Sequence, residues 1–377
     1  MAKSKKQFIF LAAAVFLFFG AAFPGCSSKA VPKDAGVFKS IDGGLTWERK
    51  IQIVLPPESK EKTDLSDKDI ISFGINPDDS NIVYAGSSAN GLFRSKDAGE
   101  NWESFNGASL TSIDTIYYIA IDRKNIKNMY LSGVSAYGKG RVMKSEDEGE
   151  TWQEVYVTLT AGEIVNRIEI DSYDTSIVYI TTTKGQIFQS ANYGRSWTAL
   201  NRLTAVVDNF TVTPKDTRIL YITSGNQGLF KSTDKGNNWL SINENLAKVA
   251  AYKARMKEKK VINVIALDPL DINVIYVGFL NGMIKSSDGG NTWSVVNIIT
   301  PPAVLPMNSL VVSQKDSKSI YYTIDSQVYF TNNGAESNWL VRNLPTSRVI
   351  TALTIDPNDS KTIYVGTVPP PVKKSKF

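Results

Sequence analysis

The sequence predicts an all-β fold: a single seven-bladed β-propeller of four-stranded blades, with the last blade closed by the N- and C-terminal halves of the chain and one short inserted helix. Three observations carry this. A nine-residue motif, read most clearly in KSSDGGNTW (Lys285 to Trp293), occurs seven times. An alternating apolar pattern, broken by a turn and ending in tyrosine, accompanies each copy. The repeating part begins with the second half of a unit and stops after the first half.

The motif comes first because self-similarity decides the architecture. Its copies are KSIDGGLTW (Lys39 to Trp47), RSKDAGENW (Arg94 to Trp102), KSEDEGETW (Lys144 to Trp152), QSANYGRSW (Gln189 to Trp197), KSTDKGNNW (Lys231 to Trp239) and KSSDGGNTW; FTNNGAESNW (Phe330 to Trp339) is a degraded seventh with one extra residue. All seven tryptophans of the chain lie in these copies: Trp47, Trp102, Trp152, Trp197, Trp239, Trp293 and Trp339. A motif used seven times is a structural turn, not seven active sites. Asp42, Asp97, Asp147, Asp234 and Asp288, and Asn192 and Asn333 in their place, can accept hydrogen bonds from nearby backbone N–H groups. The glycine two residues later allows positive φ where the chain reverses. The tryptophan buries a large apolar area, and its N–H is expected to find a partner.

The accompanying element reads FGINPDDSNIVYAG (Phe73 to Gly86), IEIDSYDTSIVYIT, FTVTPKDTRILYIT, IALDPLDINVIYVG and LTIDPNDSKTIYVG (Leu353 to Gly366), with weaker versions from Ile119 and Leu310. Period-two alternation around a Pro/Asp/Asn turn reads as strand, turn, strand. A full unit is therefore strand A, turn, strand B, short loop, strand C, Asp turn, strand D. The tryptophans are 42 to 55 residues apart, the size of a four-stranded blade. The half unit at Gly36 to Trp47 and the half unit at Val349 to Thr367 join into one blade, which closes the ring and leaves no long exposed edge.

At this point the residues resemble a known group. Ser-x-Asp-x-Gly-x-Thr-Trp is similar to the Asp-box, or bacterial neuraminidase repeat, found in sialidases, xyloglucan-active glycosidases, sortilin-type receptors and photosystem II assembly-factor-type propellers. The resemblance implies a box in the hairpin between the third and fourth strands of each blade, away from the ligand face. It also implies tests for an enzyme. A sialidase carries Phe-Arg-Ile-Pro and an arginine triad; the nearest string here is NRIEI, and arginine is scarce beside lysine, 11 against 31. A glycosidase of another kind needs two carboxylates about 5 to 10 Å apart, so a glycan-binding or glycan-hydrolysing protein stays as the alternative to a non-catalytic scaffold.

Composition narrows the rest. The chain has no histidine and one cysteine, which excludes histidine-based triads, zinc sites of the usual types and an intrachain disulfide. No metal site or cofactor is expected. The first residues are basic, residues 8 to 23 are apolar, and Cys26 follows Gly25. Residues 1–25 thus read as a secretory signal too short to span a bilayer. The arrangement resembles a bacterial lipoprotein signal, which implies lipidation at Cys26 and a linker over 26–34; the repeats place the propeller over 35–367, and the Pro/Lys composition predicts a disordered tail over 368–377. Simple secretion with a free cysteine and an uncleaved anchor are the alternatives. Removing Lys3, Lys5 and Lys6 with the signal leaves 39 basic against 37 acidic residues, which gives no footprint for nucleic acid.

Two places are candidates for a partner. Asn243 to Val261 is the one stretch with helical spacing, Leu246, Val249, Tyr252 and Met256 sharing a face and Lys248, Lys253, Arg255 and Lys257 decorating the rest. It reads as a solvated helix on the propeller or as a basic contact for an acidic partner or anionic headgroups. The proline-rich loop Asn297 to Asn308 is expected to pack near it. On the A strands, the equivalent positions Gly74, Ala120, Glu169, Thr211, Ala266, Val311 and Thr354 single out Glu169, which with Arg167 is expected to form an ion pair at the central channel. Aromatic residues of the D-to-A loops, expected to be Tyr117, Tyr118 and Tyr252, are too few for a glycan platform. The sequence thus points to a monomeric, membrane-anchored, extracytoplasmic scaffold for a membrane or envelope protein partner.

Overall fold

The computed structural model describes residues 33–371 apart from 56, 58–62, 108–109, 111–114, 135–137, 201–205, 225–226 and 254–261. Cys26, Arg255, Lys257 and the signal segment 1–25 lie outside the described residues, as does the tail from 372 onwards. Among the described residues, twenty-eight strands make seven four-stranded antiparallel sheets. The first complete blade is β3 (Ile70–Ile75), β4 (Val83–Ser87), β5 (Leu92–Ser95) and β6 (Glu103–Ser104). The next five are led by the innermost strands β7 (Thr115–Ile121), β11 (Val165–Ile170), β15 (Asn209–Val212), β19 (Ile262–Leu267) and β23 (Ser309–Val312).

The last blade joins both ends of the repeat. β27 (Val349–Ile355) and β28 (Ile363–Val368) supply its inner half, β1 (Val37–Ser40) and β2 (Glu48–Lys50) its outer half. β1 pairs with β28 in the register Val37 to Gly366 through Ser40 to Ile363. The seven-bladed reading and its closure hold.

Burial follows strand position. Innermost strands such as β3 and β19 alternate buried and partly buried residues, because one edge of each faces the channel. The second strands are buried at every position of Val83–Ser87, Val178–Thr182, Leu220–Ser224, Ile275–Phe279 and Ile320–Ile324, since neighbouring blades cover both faces. The apolar core accordingly divides into clusters at the blade seams. Tyr84, Ile116, Ile119 and Trp152 fill one, and Val37, Ile70, Trp102 and Tyr364 fill the seam that closes the ring.

The motif behaves as a lock. In the fifth blade Ser286 Oγ donates to Asp288 Oδ1 at 2.8 Å and accepts from Gly290 N at 2.8 Å. Asp288 accepts from Thr292 N at 2.8 Å and from Thr292 Oγ1 at 2.6 Å. Gly290 sits at φ +93°, where a Cβ would be strained. Gly289 N donates to Asn273 O at 2.9 Å, which ties the box to the A-to-B turn. The lock also joins blades. Tyr84, Tyr221, Tyr321 and Tyr364 donate their hydroxyls to Glu148, Gly289, Gly43 and Ala98 carbonyls in the next blade's box. The indole N–H groups of Trp47, Trp197 and Trp293 find backbone carbonyls, whereas those of Trp102, Trp239 and Trp339 are buried without a protein acceptor. In those three copies the indole is retained for its apolar area.

This geometry makes a prediction about Asp288. Asn192 performs the same task in the third blade, accepting from Ser196 N at 2.9 Å and donating to Ser196 Oγ at 2.8 Å. Asp288→Asn is therefore expected to melt close to the parent, while Asp288→Ala loses roughly 1–2 kcal/mol by calorimetry. Hydrogen bonds from the Thr292 hydroxyl and N–H hold the Asp288 carboxyl down at about 2. A depressed carboxyl stabilises above its unfolded value near pH 4, and that contribution is lost only as pH falls towards 2.

The inserted helix differs from expectation. Among the described residues it is two pieces, α1 (Asn243–Ala247) and α2 (Ala250–Lys253). The break lies where Val249 N bonds Leu246 O, three residues back, which tightens the turn before Lys253 N resumes with Val249 O. Leu246, Val249 and Tyr252 are buried as the spacing implied, with Tyr252 edge-on to Phe279 at 5.7 Å.

Candidate binding site at the channel mouth

The boxes and the A-to-B turns share one face, as the bonds between them show. The D-to-A and B-to-C connections must then share the other. There the innermost strands begin, and five of the seven begin irregularly, with register shifts at Ile70/Ser72, Ile116/Tyr118, Val165/Arg167, Ile262/Val264 and Ile350/Ala352. Such bulges bend the strand and re-aim its side chains. All seven innermost strands contribute to a cavity of about 350 Å³ at this end of the channel.

Arg167 and Glu169 both line it, yet they make no ion pair within 4.0 Å. Tyr118 from the neighbouring blade stands between them. Its hydroxyl donates to Glu169 Oε1 at 3.0 Å, and the Arg167 guanidinium lies 5.4 Å from its ring centroid. Arg167 donates instead to Asn209 Oδ1 at 2.6 Å. Asn209 Nδ2 in turn donates to Thr223 Oγ1 and to Asn263 O, each at 3.0 Å. The expected salt bridge is thus a relay through four blades, from β7 to β19. Arg167 and Glu169 keep an unbroken register with Thr181 and Tyr179 and so share a strand face, and each finds its hydrogen-bond partner in an adjacent blade, Glu169 in the one before and Arg167 in the one after.

Electrostatics follow the geometry. Burial in the channel pushes the Glu169 carboxyl up to about 7, against the opposing pull of the Tyr118 hydrogen bond and the Arg167 and Arg123 charges. The Glu169 charge, with burial behind it, raises the Tyr118 phenol well above its ordinary value. A buried cation flanks the mouth, where Arg348 pairs with Asp69 and donates to Thr367 Oγ1 at 3.3 Å.

The other candidates lie elsewhere. Lys248 and Lys253 are exposed on the helical pieces, and neither lines the cavity. Lys248 and Lys253 and the Arg167/Glu169 pair therefore do not converge on one site. The proline-rich loop reaches its own blade first, Asn281 accepting from Leu305 N and donating to Ala303 O, each at 2.9 Å, and shares a groove with Ala251 of α2. Tyr117 and Tyr118 belong to strand β7, not to a loop, and both line the cavity, while Tyr252 is buried. Sequence reasoning passed over Asn209 and Arg348, for which no local signal exists.

Among the described residues no group of three or more Asp, Glu or Cys is placed to hold a metal ion, and no helix is long and apolar enough to cross a membrane.

Comparison with known proteins bears on the fold. The family model described as sortilin (Vps10), neurotensin receptor 3, matches residues 140–271, from the third strand of the second blade to the first turn of the fifth. A xyloglucanase of Paenibacillus sp. is 25% identical over 138 residues, 32% of this chain and 13% of that protein. Among solved structures, the xyloglucanase of Xanthomonas campestris superposes with a TM-score of 0.63 at 14% identity, covering 79% of this chain but 51% of that one. YCF48 bound to a D1 peptide gives 0.60 at 12% identity, covering 80% of this chain and 94% of that one; YCF48 from Cyanidioschyzon merolae gives 0.59 at 12%, with 80% and 96%. The match spans 13% of the Paenibacillus xyloglucanase, about half of the Xanthomonas chain and nearly all of the YCF48 chains.

Proposed function

We propose that this chain is a non-catalytic, lipid-anchored extracytoplasmic scaffold or assembly factor, which takes a segment of a membrane or envelope protein at the channel mouth. One observation carries the non-catalytic reading. Glu169 is the only carboxylate among the described residues that line the cavity, whereas glycoside hydrolysis takes two, about 5 to 10 Å apart. The mouth instead offers amides, hydroxyls, two tyrosines and one guanidinium, groups suited to a peptide backbone and its polar side chains. A propeller of the same extent, YCF48, has been captured with a D1 peptide. The glycan reading draws on the xyloglucanase likenesses and on Tyr117, which could stack on a sugar ring.

The test is to crosslink cells expressing the tagged full-length chain and purify it from membranes. The expected result is one stoichiometric protein partner, lost in Arg167→Ala and retained when Lys248 and Lys253 are both reversed in charge. Recovery with polysaccharide, or xyloglucan hydrolysis by the purified protein, would establish the glycan reading in its place. Cys26→Ala is expected to release the protein from membranes.

A further inference from the structure

We infer that Asn209 is a positioning residue of the channel mouth: its carboxamide holds the Arg167 guanidinium in place with its charge intact, so that the remaining N–H groups meet acceptor oxygens of the captured segment. The inference rests on the reading of the mouth as a peptide site and adds how its one guanidinium is presented.

The amide is fixed in one orientation. Asn209 is buried, and its Nδ2 donates to Thr223 Oγ1, directly opposite it on the paired strand Leu220–Ser224, and to Asn263 O in the next blade, each at 3.0 Å. Both N–H groups of the carboxamide are then committed, which turns Oδ1 back towards the preceding blade. There it accepts from Arg167 Nη2 at 2.6 Å.

Neither neighbour competes for Arg167. Thr181, opposite it in the ladder, donates its hydroxyl to Asn166 Oδ1 at 3.0 Å. Tyr118 offers the guanidinium its ring, while its hydroxyl goes to Glu169 Oε1. A guanidinium carries five N–H donors, and the bond to Asn209 takes one of them. A carboxylate in the place of the amide would hold the fork and cancel its charge. The amide holds it and leaves the charge for a ligand.

Comparison between blades shows that Asn209 does more than join two of them. Ser309 has the same register in the sixth blade, opposite Thr323 as Asn209 is opposite Thr223, and its Oγ donates to Thr351 O at 3.2 Å. Thr351 is the counterpart of Asn263, each being the residue at the register shift of its strand. A serine therefore suffices for the bond to the following blade. The longer side chain adds the acceptor turned back to Arg167.

The experiment uses the full-length chain. Phenylglyoxal labels guanidinium groups, and mass spectrometry of the purified protein follows Arg167 beside the exposed Arg195 as reference. Asn209→Ser, which can keep the bond to the following blade as Ser309 does, is expected to melt close to the parent and to label several-fold faster at Arg167. In crosslinked cells it is expected to capture about tenfold less protein partner. Asn209→Asp keeps an acceptor for the guanidinium and is expected to label at the parent's rate. Parent-like labelling in Asn209→Ser overturns the role, as does undiminished capture by that variant. Faster labelling in both variants overturns it too, because a general loosening of the mouth, not a lost acceptor, would then be the cause. A parent chain that captures no protein overturns the binding reading of the mouth and this role with it.

Discussion

Replacing Gly366 by alanine is expected to destabilise the ring by roughly 3 kcal/mol or more, at the upper end of what adding one methyl group does to a packed interior. Gly366 lies in β28, paired with Val37 on one side and Ala352 on the other. A Cβ there would stand 2.3 Å from Ile70 O and 2.9 Å from Ile70 Cγ2. Ile70 opens β3, so the collision falls on the seam where the last blade meets the first. The nearest obstacle is a backbone carbonyl rather than the end of a flexible side chain. Relief therefore demands a shift of β3, together with its pairing to β4.

Gly162→Ala is the control that isolates the cause. That glycine has φ +80° with nothing within 4 Å of the added carbon, so alanine there carries only the backbone term, about 1 kcal/mol. Urea denaturation of the two variants beside the parent separates them. Gly366→Ala melting with the parent would mean that the first and last blades do not pack as closely as described, and the closure of the ring would have to be redrawn. The same close approach recurs at Gly86, whose Cβ would meet Ile116 of the next blade at 2.8 Å. A glycine near the end of a second strand is therefore a device for seating the following blade.

What could be read in the sequence was what is local or repeated. The box closes its hydrogen bonds within four residues, from Ser286 to Gly290 and from Asp288 to Thr292, so its residue types and spacing are visible in nine letters. Blade count and closure followed from the copies and from the two half units, because the same seam chemistry is written seven times. The mouth is different. Tyr118 meets Glu169 across 51 residues and Arg167 meets Asn209 across 42, each in a neighbouring blade. Comparing equivalent strand positions could single out Glu169 as the odd residue; it could not say which side chain of the next blade would stand opposite. The register shifts near the start of these strands depend on pairing with the second strand, which single-strand periodicity does not record. The helix was legible by its buried face and misjudged in its continuity, since one three-residue bond at Val249 splits it.

Glu169→Gln is expected to raise stability, and the direction depends on pH. The folded carboxyl titrates near 7, against about 4.3 in an unfolded chain. Between those values the folded protein holds a proton that the unfolded chain has released, so wild-type stability falls as pH rises through the window and levels off above it. The accumulated cost is roughly 2–4 kcal/mol. Glutamine cannot ionise, and its carbonyl can still accept from the Tyr118 hydroxyl. The variant should therefore match the parent near pH 4 to 5 and melt above it at pH 8 to 9. Thermal scans across that range give the result directly: parallel curves would mean that water reaches Glu169 freely and the carboxyl is not held up. A strut holding the ring together would show the opposite sign, losing stability on substitution. A carboxyl kept in the mouth at a cost to the fold belongs with groups retained for what they bind, and the same variant tested for partner capture asks whether that is why Glu169 is there.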